Sequence, residues 1–454
     1  MNKTPAFSPK RIHAMTIGFF IVAVCFIIYK YSEDRKKEAF VIYKIKERKG
    51  PLSNTVEWKN VRNNANFLTE SIKKNPTDVK LKVSISSLFI QEGRITGDYA
   101  YYDKAAMKYV DDALAIDSSN FDALALKSLL YLSQHHFAEG IAFADKAKTI
   151  NPYSAFVYGV LVDGNVEMGN YEKAVETSDK MVSIRPDLRS YSRIAYLREI
   201  HGDYAGAIDA MKLAVEAGAP GDETTEWCRV QLGQLYENTG DLRDAEMQYI
   251  LSIEERPGYP PALAGLSRMA IVKKDYAKAL NYLQQGDSSS LSEQFKDQMI
   301  DLYTLMGNKK EADRLSKIMI AEMTSLAKMG DNDQSVGHYA DRELAMAYLK
   351  IIDYDNAIKH ALIEYNRRPL NIDVNETVAW VYYNMGEFQK ALPYLKTALR
   401  TNSKNPGLLC KAALIYSKTG SSDSARNIFN SVLSKNPVIQ SQLEKASRAA
   451  LSKL

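Results

Sequence analysis

Apolar residues recur at spacings of three and four along most of the chain, and a short polar turn breaks the pattern every thirty-odd positions. The turns share a signature: Gly169-Asn170-Tyr171, Gly202-Asp203-Tyr204, Gly240-Asp241-Leu242, Lys274-Asp275-Tyr276, Gly307-Asn308-Lys309, Ile352-Asp353-Tyr354, Gly386-Glu387-Phe388 and Gly420-Ser421-Ser422. Their third positions lie 33, 38, 34, 33, 45, 34 and 34 residues apart, and counting backwards reaches Phe137 and Tyr99. Three residues after each third position stands a small side chain (Gly140, Ala174, Ala207, Ala245, Ala279, Ala312, Ala357, Ala391, Ala425), as two closely crossing helices require. Pro152, Pro186, Pro257, Pro369 and Pro437 follow the turns by fifteen residues and stop the second helix, since proline lacks an N–H and clashes backwards. Each unit therefore reads as helix, turn, helix, stop.

Before the turns, Leu232-Gly233, Leu344-Ala345, Val378-Ala379 and Ala412-Ala413 each precede a tyrosine on the same helical face: Tyr236, Tyr348, Tyr382 and Tyr416. With Ala245 and Pro257, the run from Leu232 to Tyr236 resembles the tetratricopeptide-repeat family, whose unit of about 34 residues carries an L-G-x-x-Y core, an alanine after the turn and a closing proline. The resemblance implies an all-α, right-handed superhelical solenoid of about nine or ten tandem helix-turn-helix repeats in a non-catalytic interaction protein. Nine units are expected over 121–437, starting near Phe121, Ala155, Leu188, Glu226, Pro260, Glu293, His338, Ile372 and Pro406. A half-unit and a degenerate repeat fill 55–120, and 438–454 reads as a capping helix with a solvated face. Insertions fall at Gly218–Thr225 and Ser325–Gly337, where the period stretches. Each helix pair is expected to bury its apolar face against its neighbours alone.

The front of the chain differs. Residues 14–29 hold no charge, Lys3, Lys10 and Arg11 precede them without an acid, and Tyr29, Lys30 and Tyr31 suit an interface. The expectation is a basic tail (1–13), a single transmembrane anchor (14–30), a charged stalk (31–54) and a bacterial membrane protein with its repeat body outside the cytoplasm. A cleaved signal peptide is the competing reading of the same segment. The stalk's many lysines and arginines favour the opposite, cytosolic orientation.

Charge narrows the partners. Residues 1–50 hold 11 Lys/Arg against 4 Asp/Glu, whereas the rest holds 48 against 51, so the body lacks the basic footprint of a nucleic-acid binder. Three cysteines (Cys25, Cys228, Cys410) suggest neither a disulfide framework nor a metal site. His338 and Asp341 have ligand spacing without a third ligand nearby, and the run from Asp331 to Gly337 misplaces the glycine of a calcium loop and puts Arg342 where a glutamate is needed. His135, His136 and His201 read as solvated turn residues. No phosphate loop, nucleophile elbow or activated cysteine appears, so no enzyme, cofactor or metal is expected.

In the resembled family the first helix of each unit lines the concave groove. The matching positions here supply Arg189, Ser192, Tyr196 and Glu199, then Trp227, Val230, Gln234 and Glu237, then Arg342, Met346 and Leu349, then Asp373, Glu376, Trp380 and Tyr383, with Arg193 one helical turn beyond Arg189. Exposed aromatic and arginine side chains are the types enriched at interaction hot spots. Arg189 and Arg193, four apart, suit an acidic partner, while the clamp of chaperone-binding members is missing, because Arg342 is followed by Met346 and no unit supplies both of its residues. The expected function is a membrane-tethered scaffold capturing a partner peptide or helix. An organelle import or assembly receptor with a cytosolic body, and an enzyme or small-molecule sensor with its site in the concavity, remain the alternatives.

Overall fold

The computed structural model describes residues 19–27, 29–30, 42–290, 293–332, 338–435 and 437–454. The chain forms two units, residues 1–45 and 46–454. In the first, 19–27 and 29–30 are helical, with Phe19 and Phe20 exposed. Among the described residues no helix is long and apolar enough to cross a membrane. Residues 1–18, 28 and 31–41, which include parts of the expected tail, anchor and stalk, lie outside the described residues.

The second unit is helical throughout its described residues, from the 3-10 turn Gly50–Asn54 to the helix Ser441–Leu451. First helices span Phe121–Ser133, Ala155–Glu167, Leu188–Ile200, Glu223–Thr239, Pro260–Val272, Glu293–Leu305, Asp341–Lys350, Ile372–Asn384 and Pro406–Lys418, each packed antiparallel on the helix that follows it. Asparagine, aspartate and serine cap many of them: Asn120, Ser154, Asp187, Asn371 and Asn405 accept from backbone N–H groups of the first turn. Second helices end at Ile150, Ile184, Glu255 and Arg367, just before Pro152, Pro186, Pro257 and Pro369. Ala174, Ala207, Ala245, Ala279, Ala357, Ala391 and Ala425 are fully buried where the paired helices approach. The inter-helix turn demands a left-handed residue, which Gly169, Gly202, Gly240, Gly307, Gly386 and Gly420 supply; His135, Lys274 and Ile352 hold the same conformation without being glycine.

Two stretches depart from the periodic expectation. The helix Glu223–Thr239 starts inside the first insertion, and Lys309–Asn332 runs on for 24 residues into the second, whose residues 333–337 lie outside the described residues. Within the expected stalk, residues 46–54 are built into the second unit. Leu52 is buried, and Arg48, also buried, donates to Glu92 at 2.6 and 2.9 Å and to Glu57 at 3.0 Å. Burying that guanidinium is tolerable because two carboxylates neutralise it.

The repeats also touch beyond their neighbours, contrary to expectation. Positions about 200 residues apart meet along a seam. Tyr339 N donates to Gln134 O at 3.2 Å, Ile372 N to the Tyr171 hydroxyl at 3.0 Å, Arg256 Nη1 to Glu57 at 2.7 Å and Val438 N to Glu237 O at 3.3 Å. Gly169 sits so close to the next coil that a β-carbon there would stand 2.3 Å from the carbonyl carbon and oxygen of Leu370. The turns of the superhelix are therefore stacked on one another.

Candidate interaction groove and interior cavity

The Leu188–Ile200 helix divides its two expected arginines. Arg193 is clamped: Nε and Nη2 donate to the two carboxylate oxygens of Asp163 at 2.9 and 2.5 Å, and Nε also reaches Gly159 O at 3.1 Å. Arg189 is exposed and its guanidinium makes no hydrogen bond or ion pair among the described residues. Partial desolvation, then the neighbouring Arg193 charge, holds its pKa below the usual arginine value, with Arg94 and Arg185 adding to the positive field. Tyr196 is 41% exposed. Glu199 accepts from Asn238 Nδ2 at 3.1 Å, and burial, helped by the Asp373 charge, pushes its carboxyl up to about 7.

On the next first helix Trp227 is 37% exposed and Gln234 half-buried, but Glu237 does not face a partner. Its carboxylate accepts Arg268 Nε at 2.9 Å and Nη2 at 3.0 Å, and the Tyr249 hydroxyl at 2.5 Å, so it is an internal counter-ion. Trp380 and Tyr383 stack on each other, centroids 4.9 Å apart at 8°, and pack on the core around Cys410, Leu414 and Phe429. Lys411 Nζ stands 5.6 Å from the Trp380 ring centroid and donates to Glu376 at 2.6 Å.

Arg342 is placed differently. It lines a cavity of about 390 Å³ whose one wall comes from Leu129, Leu132, Ser133, His135, Phe137, Asp163 and Glu167, and whose other wall comes from Arg342, Glu343, Arg368 and Asp373. The two walls belong to successive turns of the superhelix. Glu167 is held by Arg368 at 2.5 Å, yet burial still raises its pKa. Burial likewise raises Asp373, against the nearby Arg342 charge. Desolvation opposes the Arg342 cation, but the surrounding carboxylates, Asp373 and Glu343 foremost, outweigh it and raise its pKa. The Nε of Arg342 and Oε2 of Glu343 are buried with no hydrogen-bond partner among the described residues.

His201 is an exposed turn residue, as expected, but His135 and His136 are not solvated turn residues. His136 is 2% exposed and stacks on Tyr339 at 4.0 Å, and His135 Nδ1 lies 2.9 Å from Tyr339 O with its ring 4.1 Å from that of His338. Burial, then His135, depresses His338 to about 4. His201 Nδ1 is 2.8 Å from Leu197 O in its own helix. Among the described residues no group of three or more His, Cys, Asp or Glu could hold a metal ion.

Of the residues read from the repeat pattern, the structure leaves Arg189, Tyr196 and Trp227 open on neighbouring first helices, turns Arg193 and Glu237 inward, and sets Arg342 in the cavity. Asp163, Glu167 and Arg368 were not legible as site residues. Nothing in a period of about 34 reports which positions meet one superhelical turn later.

A repeated pair of helices stacked into coils defines the chain as an α-helical repeat protein. A family model described as Tetratricopeptide repeat matches residues 372–405, so the chain carries a tetratricopeptide repeat in that unit. The TPR repeat-containing protein MJ1428 of Methanocaldococcus jannaschii is 20% identical over 377 residues, covering 78% of this chain and 58% of that protein. The chain thus spans less than two thirds of that relative's length. Among solved structures, a human IFIT1 dimer with PPP-AAAA aligns at TM-score 0.43 and 16% identity, covering 72% of this chain and 73% of that one. PilW, a type IV pilus biogenesis factor, aligns at TM-score 0.37 and 17% identity, covering 44% of this chain and 92% of its own.

Proposed function

We propose that the protein is a non-catalytic interaction scaffold, held to a membrane through residues 14–30, whose tetratricopeptide-repeat body lies outside the cytoplasm and captures an extended segment of a partner protein. The observation that carries this reading is the exposed Arg189, whose guanidinium is unpaired among the described residues, with the part-exposed Tyr196 two turns along the same helix and the part-exposed Trp227 on the next first helix. An arginine without an internal counter-ion, flanked by aromatic surface, suits an acidic segment: the guanidinium supplies a fork for a carboxylate and the rings supply area at low entropy cost. Arg185 strengthens that preference, while Asp187 at the start of the same helix offsets part of it and Arg94 is paired with Glu223 at 3.1 Å.

The test is site-specific photo-crosslinking of the full chain in its own cells, with the probe at Tyr196, at Trp227 and, as an outer-face reference, at Val175, which is 38% exposed. Discrete adducts with one partner chain at the first two positions and none at Val175 support the scaffold. Equal labelling at all three overturns it. In the same cells, deletion of 14–30 is expected to move the protein from the membrane pellet to the soluble fraction. Protection of the body from external protease in intact cells would place it in the cytoplasm, as for an import or assembly receptor.

A further inference from the structure

The cavity between the 129–167 wall and the 342–373 wall holds more charge than its own pairs account for. Asp163 is matched by Arg193, and one oxygen of Glu167 by Arg368. Left over are the guanidinium of Arg342, with its buried Nε lacking an acceptor, the carboxylate of Glu343, with its buried Oε2 lacking a donor, and Asp373, which forms no ion pair among the described residues. A buried donor or acceptor without a partner costs free energy, so a site carrying one of each is incomplete without something that supplies both.

The identity of that complement follows from the chemistry of the open groups. A guanidinium fork takes a carboxylate in two parallel hydrogen bonds. Glu343 and Asp373, with the second oxygen of Glu167, take ammonium or guanidinium protons. One open cation faces two open acids, which excludes a simple anion and leaves a neutral sugar with the acids unmatched. A volume of about 390 Å³ is at the small end of ligand sites. We propose that this cavity binds a free basic α-amino acid, its carboxylate on Arg342 and its cationic groups toward Glu343, Asp373 and Glu167.

Because the two walls come from successive coils, the ligand joins them. The apolar surfaces of Leu129, Leu132 and Phe137 cover the aliphatic part of the molecule. The groove's Tyr196 lies in the field of the cavity's Asp373 and Glu167, but this site is read by ligand-dependent unfolding and the groove by partner capture, so the failure of either reading is distinguishable from failure of the other.

The experiment measures thermal unfolding of the full chain in detergent with L-arginine or L-lysine at millimolar concentration, against L-glutamate, putrescine and glucose. The expected result is a midpoint raised by about 2 °C or more with the two basic amino acids, with no shift from glutamate or glucose and a smaller one from putrescine, which lacks the carboxylate. Arg342→Met abolishes the shift, and Asp373→Asn weakens apparent affinity by about tenfold or more. Should Arg342→Met fail to fold, Glu343→Gln gives the same reading from the ammonium side. The proposal is overturned if neither basic amino acid shifts the midpoint, if the shift survives both Asp373→Asn and Glu343→Gln, if putrescine matches lysine, or if glucose proves the better ligand.

Discussion

Arg368 Nη1 donates to Glu167 Oε2 at 2.5 Å across 201 residues of sequence, fastening one coil of the superhelix to the next. The same guanidinium donates through Nε to Glu364 at 2.5 Å and lies 4.7 Å from the centroid of Phe137. A solenoid held by neighbour contacts alone loses stability repeat by repeat. Here units far apart in the chain share hydrogen bonds, so part of the stability belongs to the closure of the coil.

Arg368→Ala tests that closure. Glu364, 2% exposed, would keep only Arg367 at 2.9 Å, and Glu167 would lose its counter-ion, at a cost of about 3 kcal/mol. The expected result is a lowered denaturant midpoint with faster amide exchange at Tyr339 and Ile372, whose N–H groups bond across the seam. If those amides exchange as in the parent protein, the seam is not one cooperative element.

Gly265→Ala probes packing within neighbouring units. The Tyr249 ring lies between Gly233 and Gly265, where added β-carbons would stand 2.5 and 2.6 Å from ring carbons. The ring cannot swing aside, because its hydroxyl donates to Glu237 at 2.5 Å and accepts Arg268 Nη2 at 3.2 Å. The expected loss is about 1 to 3 kcal/mol, measured by chemical unfolding. Ala245→Leu, at a fully buried position of the same cluster, should cost a similar amount.

Asp103 gives a pH dependence of definite sign. It is 5% exposed, and burial pushes its carboxyl up to about 7 despite the 2.7 Å hydrogen bond donated by the Ser133 hydroxyl. The unfolded carboxyl titrates near 3.9, so between about pH 4 and 7 the folded state binds more protons and stability falls as pH rises. Asp103→Asn keeps an acceptor for Ser133 and removes the titration. At pH 8 the variant should be more stable by on the order of 2 kcal/mol, and at pH 4 equal to the parent. Unfolding midpoints that differ equally at both pH values would refute this.

The helical pairs were legible because each is written locally: turn glycine, small residue, capping residue and proline all fall within one unit. The helices beginning at Phe121, Ala155, Leu188, Pro260, Ile372 and Pro406 start where the spacing places them. The seam was not legible, since a repeated pattern is the same in every unit and says nothing about which coil lies over which. His135 and His136 illustrate this: turn residues by their own unit, they are covered by Tyr339 and His338 of a later one. The groove was legible only as a list of first-helix positions. Whether an arginine there is free or paired depended on Asp163, thirty residues away on the neighbouring first helix.

The arginine pair makes that distinction measurable. Arg193 is spent on Asp163, whose side chain is 36% exposed, so Arg193→Ala should cost about 1 kcal/mol of stability, less than a fully buried pair. The Arg189 guanidinium bonds to nothing among the described residues, and Arg189→Ala should leave stability within about 0.5 kcal/mol. Capture of an acidic partner should reverse the ranking: loss of Arg189 removes the open fork and costs on the order of 2 kcal/mol in binding. Salt should weaken the parent's capture more than the variant's, because the interaction deleted is the charged one. The measurement pairs unfolding curves with partner binding by the two variants at low and high salt. Equal effects of both substitutions on binding, or a loss of stability from Arg189→Ala matching that from Arg193→Ala, would show that the two arginines act as one internal cluster and that the partner docks elsewhere.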